Sequence, residues 1–117
     1  MSIEKSINRE IKDPHLKPGT IYFAKRPIFY VSEIQRRPGT GIKGGYWDSI
    51  NLITLEPGDN VTYLGRAEEL EIIHGDVLKE QQIFTGGSGT QDKMDHPNNR
   101  LVIGSQWNPY LKETSSS

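Results

Sequence analysis

"ITLEPGDNVTYLG", residues 53 to 65, decides the class of fold. Two runs rich in β-branched and aromatic residues flank Glu56-Pro57-Gly58-Asp59, where proline presets φ at the second turn position and glycine accepts a positive φ at the third. Runs of that composition form strands, and a break of that kind reverses the chain, so the stretch reads as a β-hairpin. Working outward, "TIYFA" (20–24) and "IFYVS" (28–32) are split by Lys25-Arg26-Pro27, and "INLITL" (50–55) and "VTYLG" (61–65) are the hairpin's own arms. "LEIIH" (70–74), "VLKEQQIF" (77–84) and "LVIG" (101–104) follow. Val77, Gln81 and Phe84 also fall on one side at helical spacing, but the β-branched and aromatic ends of their segment favour a strand. Six or seven short strands with turn signals between them predict an all-β domain, a small barrel or sandwich.

The chain has 117 residues, 33% of them hydrophobic, with seven prolines and twelve glycines, which predicts one domain with a small core and much loop. Residues 1–13 form an N-terminal arm in which Ile3, Ile7 and Ile11 make the stripe of a short helix, with Ser2 as N-cap and Asp13-Pro14 as the stop. Residues 14–111 are the barrel domain, and 112–117 a mobile polar tail. One long polar loop, "TGGSGTQDKMDHPNN" (85–99), has hardly any apolar content, and loops of that kind are functional or disordered. Absence of cysteine removes disulfides, cysteine-ligated zinc and thiol catalysis. No apolar run approaches the roughly 18 residues that span a bilayer, so a soluble cytoplasmic protein without membrane contact is expected.

Two phrases resemble bacterial SH3-like small barrels. "ITLEPGDNVTYLG" is similar to a hairpin of those domains, and "IGSQWNPYL" (103–111) to their closing strand, with Trp107 and Tyr110 at the family's aromatic positions. The likeness covers about a fifth of the chain and implies a barrel architecture. It implies no function, because such barrels serve many partners.

For function, the chain offers two glycine-rich loops and an uneven charge. "QRRPGTGIKGGYW" (35–47) contains Gly39-Thr40-Gly41-Ile42-Lys43-Gly44, a G-x-G-x-x-G, but its exit is a strand where a dinucleotide fold needs a helix, and Lys43 is followed by glycine where a Walker loop needs Ser or Thr. A hairpin loop with cations at Arg36, Arg37 and Lys43 is what survives, either plainly mobile or an anion nest. No acid lies between Glu33 and Asp48 to neutralise these cations. The second loop, with Gly86, Gly87 and Ser88, supplies amides and a hydroxyl, and Tyr46, Trp47 and Trp107 supply stacking faces or core. Between Tyr22 and Tyr46 five cations stand against Glu33 alone; between Asp48 and Gln82 eight acids stand against Arg66 and Lys79. On separate faces these segments make the molecule electrically two-sided.

Asp92, Asp95 and His96 lack the ligand number and spacing of a metal site, so no metal or other cofactor is expected. His74 and Asp76 with the scattered serines lie in no recognised nucleophile context. The expectation is a non-enzymatic binding protein acting on a protein partner or on its own copies in an assembly, through aromatic strand faces and its two-sided charge. Small cysteine-free chains of this sort are common among phage and mobile-element accessory proteins. Two alternatives stand behind it: a sequesterer that holds a phosphorylated or nucleotide-like anionic small molecule between the two glycine-rich loops, and an enzyme of unrecognised type. Nucleic acid is not favoured.

Overall fold

Pro57 and Gly58 make the turn their chemistry dictates, yet that turn does not make a hairpin. In the computed structural model, which describes residues 16–38, 45–71 and 77–114, Asp59 donates its N–H to the Glu56 carbonyl at 2.9 Å and Gly58 sits at φ +95°. The strands it joins are β3 (Gly45–Leu55) and β4 (Asn60–Glu71). These are not neighbours. The others are β1 (Ile21–Ala24), β2 (Ile28–Pro38), β5 (Val77–Gly86), β6 (Arg100–Val102) and β7 (Leu111–Glu113), and together they form one antiparallel sheet in the order β3-β2-β6-β5-β4-β1-β7. Beyond the turn, β4 is taken on one side by β1, through Phe23↔Asn60, and on the other by β5, through Tyr63↔Phe84, which leaves no edge for β3.

That order forces the sheet to curl. In a flat sheet β3 and β4 would lie four strand spacings apart, about 19 Å, whereas a closed four-residue turn holds its ends within about 7 Å. The turn is therefore a corner. Beyond it Gly58 N–H reaches the Ala24 carbonyl at 2.9 Å, and Ala24 N–H reaches the Asp59 carbonyl at 3.1 Å. Curling brings residues from both ends of the order into one core: Tyr22, Ile28, Val31, Ile53, Leu55, Val61, Tyr63, Phe84, Leu101, Ile103 and Leu111. The all-β expectation holds, and the sheet rolls round this core without closing.

Two long hairpins, β2–β3 and β4–β5, dominate the sheet, with the three-residue β6 between β2 and β5. Because β6 is antiparallel to both, β2 and β5 run parallel to each other, and the ends of the two hairpins project in opposite directions. The molecule is accordingly elongated, 50 × 37 × 25 Å. Ile34 and Val102 are buried in a second, smaller cluster with Trp47, Ala67 and Ile83 packed against them.

Several boundaries differ from those the sequence suggests. "LEIIH" begins as the continuation of β4, which runs to Glu71, while residues 72–76 lie outside the described residues. "VLKEQQIF" is a strand. "IGSQWNPYL" is not a single closing strand: Ser105–Tyr110 form a 3₁₀ helix, and only Leu111–Glu113 pair with β1. The arm at 1–13 and the end of the tail lie outside the described residues.

Candidate binding surface

β2 carries a bulge where its sequence is most aromatic. Ile28 pairs with Leu55 and Val31 with Ile53, so three steps of β2 oppose two of β3. The extra residue throws Phe29 and Tyr30 out of the sheet, 49% and 73% exposed. Tyr30 has φ +64°, the one positive φ at a non-glycine position among the described residues. A bulky side chain in the left-handed region costs about 1–2 kcal/mol, and such strain concentrates where function demands a particular display.

The bulge meets the 3₁₀ helix. Phe29 lies 6.4 Å from both Tyr30 and Trp107, and Trp107 stands edge-on to Tyr110 at 5.2 Å and 86°. Four rings thus run in sequence across the surface. At the Tyr110 end an open cleft of about 250 Å³ is lined by Lys25, Arg26, Pro109 and Tyr110. Both cations are exposed. The helix that presents Trp107 is fixed from below by a reciprocal pair of buried amides: Gln82 Nε2 donates to Asn108 Oδ1 at 2.8 Å, and Asn108 Nδ2 to Gln82 Oε1 at 2.9 Å. Gln82 also donates to the Ile103 carbonyl. Lys25 N–H bonds the Tyr110 carbonyl at 2.7 Å, tying the cationic turn to the same helix.

The residues marked in the sequence fall into separate places. Gly39, Gly41, Lys43 and Gly44 lie outside the described residues, though antiparallel β2 and β3 flank them, with Pro38 opposite Gly45. Arg36 and Arg37 do not share a face, since successive strand residues point to opposite sides. Arg36 lies over the Trp47 ring at 5.5 Å, and Arg37 Nη2 pairs with Asp48 Oδ2 at 3.0 Å. The expectation of cations without a local neutraliser therefore fails at Arg37, because the β2–β3 ladder brings Asp48 across from the neighbouring strand. Tyr46 stands opposite Arg37 in register. Trp47 and Trp107 are both half-buried, each packed on one of the two clusters.

Gly86 closes β5, and Gly87 and Ser88 begin a turn whose backbone groups are used within the fold. Gly87 donates to the Asn60 carbonyl at 2.9 Å, and Thr90 and Gln91 both donate to the Gly87 carbonyl. Thr90 Oγ1 adds a 2.6 Å bond to the Asn60 carbonyl, and Lys93 Nζ bridges the Thr54 carbonyl and Asp59 Oδ2. The 85–99 segment is laid against the corner, with Thr90, Met94 and Asn99 buried.

What holds its far end is Glu33, fully buried on β2. Its carboxylate accepts the N–H of Asp95 at 2.9 and 2.8 Å, that of His96 at 3.2 Å and the Asn99 side-chain amide at 2.8 Å, with Asn51 at 3.5 Å. Burial pushes this carboxyl up, and the donors from Asp95, Asn99, His96 and Asn51 outweigh it, holding the group below its ordinary range. Asp95 and His96 thus serve through their backbones, and among the described residues no three metal-ligating side chains cluster. No helix among them is long and apolar enough to cross a membrane.

Comparison with family models, with curated proteins and with solved structures finds no match for the chain. Of the aromatic run and its cations, the sequence marks Trp107 alone as a candidate binding residue, with Tyr110 noted only for its place in the SH3-like resemblance and Lys25 and Arg26 only as a turn. One signal for them was present: Phe29 and Tyr30 are consecutive, and a strand with one face in the core buries only one of two such neighbours.

Proposed function

We propose that this chain is a non-enzymatic interaction module that docks an acidic segment of a partner protein on the run Tyr30–Phe29–Trp107–Tyr110, with Lys25 and Arg26 receiving its carboxylates. The observation that carries this reading is Tyr30, held in a strained conformation that leaves its ring in solvent beside Phe29. Aromatic residues and arginine are the groups enriched at protein interfaces and their hot spots. The rings give apolar area at low entropic cost, and the cations select an acidic partner and speed its approach.

A phosphorylated or nucleotide-like ligand held between the glycine-rich loops finds less support. The amides of Gly87, Thr90 and Gln91 already serve the turn.

The test is an array of peptides that combine Asp or Glu with aromatic or aliphatic residues, read by titration of backbone and indole NMR signals. Saturable shifts should centre on Phe29, Tyr30, Trp107 and Tyr110. Affinity should fall at least tenfold in Tyr30→Ala and in the double variant Lys25→Glu/Arg26→Glu, with binding weakening as salt rises. Peptides that bind elsewhere, or equally well to these variants, would overturn the reading.

A further inference from the structure

The two edges of the sheet are built differently. β7 is three residues long, carries exposed Lys112 and Glu113, and is protected in the way natural edges are. β3 is the other edge and among the described residues pairs with β2 alone. It runs for eleven residues, "GYWDSINLITL", without proline, lysine or arginine. Its only charge, Asp48, is neutralised by Arg37 of its own hairpin. Lys93 takes the Thr54 carbonyl at 3.0 Å, so the stretch open to a new strand is 45–53, roughly 30 Å of backbone, extended on either side of one bulge at Ile50, where Glu33↔Asn51 gives way to Ile34↔Ser49.

We propose that β3 pairs antiparallel with β3 of a second copy of this chain, joining two sheets into one across a two-fold axis. A strand that meets its own copy antiparallel is self-complementary, and such contacts close at a dimer. The charge of the strand favours a copy over a charged peptide. The strand has no net charge of its own to attract one once Asp48 is paired, and two neutral edges approach without the repulsion that like charges would bring. The side chains agree. Leu52 and Trp47 stand opposite Ser32 and Arg36, even-numbered positions of β2, and so share one face. Leu52 is 63% exposed there, and the two-fold sets apolar side chains of the two copies side by side. The proposal does not depend on the aromatic run, although Leu52 stands opposite Ser32, two residues from Tyr30.

Analytical ultracentrifugation of the full chain at about 100 µM, where a micromolar dimer is almost wholly assembled, should give twice the 13.2 kDa chain mass. Ser49 and Leu52 are both exposed, so Ser49→Lys with Leu52→Lys should leave the circular dichroism unchanged and return the mass to one chain. Tyr30→Ala should leave the dimer intact. Hydrogen exchange of the wild-type β3 amides should slow as concentration rises, and this decides the matter if the double variant loses its fold. A wild-type monomer with β3 exchange independent of concentration overturns the proposal. So does a dimer that survives the double variant, and one that survives it but falls apart on deletion of residues 1–13 places the contact on the arm instead.

Discussion

Glu33 is a carboxylate without exposed surface, held by backbone N–H groups and two amides. Glu33→Gln keeps the shape but turns an NH₂ group toward donors, so it should cost about 2–3 kcal/mol in urea unfolding at pH 7. The carboxyl lies below its ordinary range in the folded chain, so its contribution is fully present above the unfolded value near 4.3. It is lost as pH falls from there through the folded value. Unfolding midpoints measured from pH 7 down to 3 should therefore drop more steeply for the wild type than for Glu33→Gln, and parallel curves would contradict this. Tyr30 makes the opposite case, a residue that strains the fold. Asparagine tolerates its φ of +64°, so Tyr30→Asn should match the wild type in stability or exceed it by about 0.5–1 kcal/mol while peptide binding is lost. A clear loss of stability would make that ring structural.

Among the elements, the 3₁₀ helix at Ser105–Tyr110 depends on the Gln82–Asn108 pair. Asn108→Ala leaves Gln82 Oε1 without its donor in the core, while Nε2 keeps the Ile103 carbonyl, and should cost about 1–3 kcal/mol, with the near-ultraviolet dichroism of Trp107 changing first as its helix loosens. Gly58→Ala should cost about 1 kcal/mol through φ +95° alone, since open space surrounds the position where a Cβ would stand. The corner shows how far the sequence could be read. Pro57 and Gly58 announce the turn itself, because turn geometry is written in four residues. Whether the joined strands pair is settled by competition from β5, the next strand, and from β1, which lies far back along the chain, and a hairpin and a corner look alike locally. Strand identities were legible on the same local grounds, down to the β-branched ends of "VLKEQQIF". The candidate surface was not: Trp107 was visible as an aromatic, but its meeting with Phe29 depends on a bulge and on a helix pinned from β5. Glu33 left a faint mark, an acid in phase with Val31 on a strand whose alternate residues point inward.

Across the whole molecule, stability should fall away from β6. Leu101 and Ile103 have no exposed surface, and Phe84 and Val31 beside them have none either. Their amides should be the slowest to exchange, while the outer rungs near Pro38↔Gly45 and Glu71↔Val77, each flanked by a single partner strand, should exchange through local opening. Uniform protection along the hairpins would count against that gradient. The same placement of β6 bears on how the chain reaches its native state. The two long hairpins can each form from nearby residues, but the strand that joins them is residues 100–102, and Ser32 must find Val102 before they share a core. Loop closure over such separations is slow. On a ribosome β2–β3 and β4–β5 would emerge as two hairpins with sticky, unjoined flanks, and the core could be sealed only after β6 and β7 had cleared the exit. That order of emergence opens a vulnerable interval, in which premature pairing between nascent chains competes with the arrival of three residues.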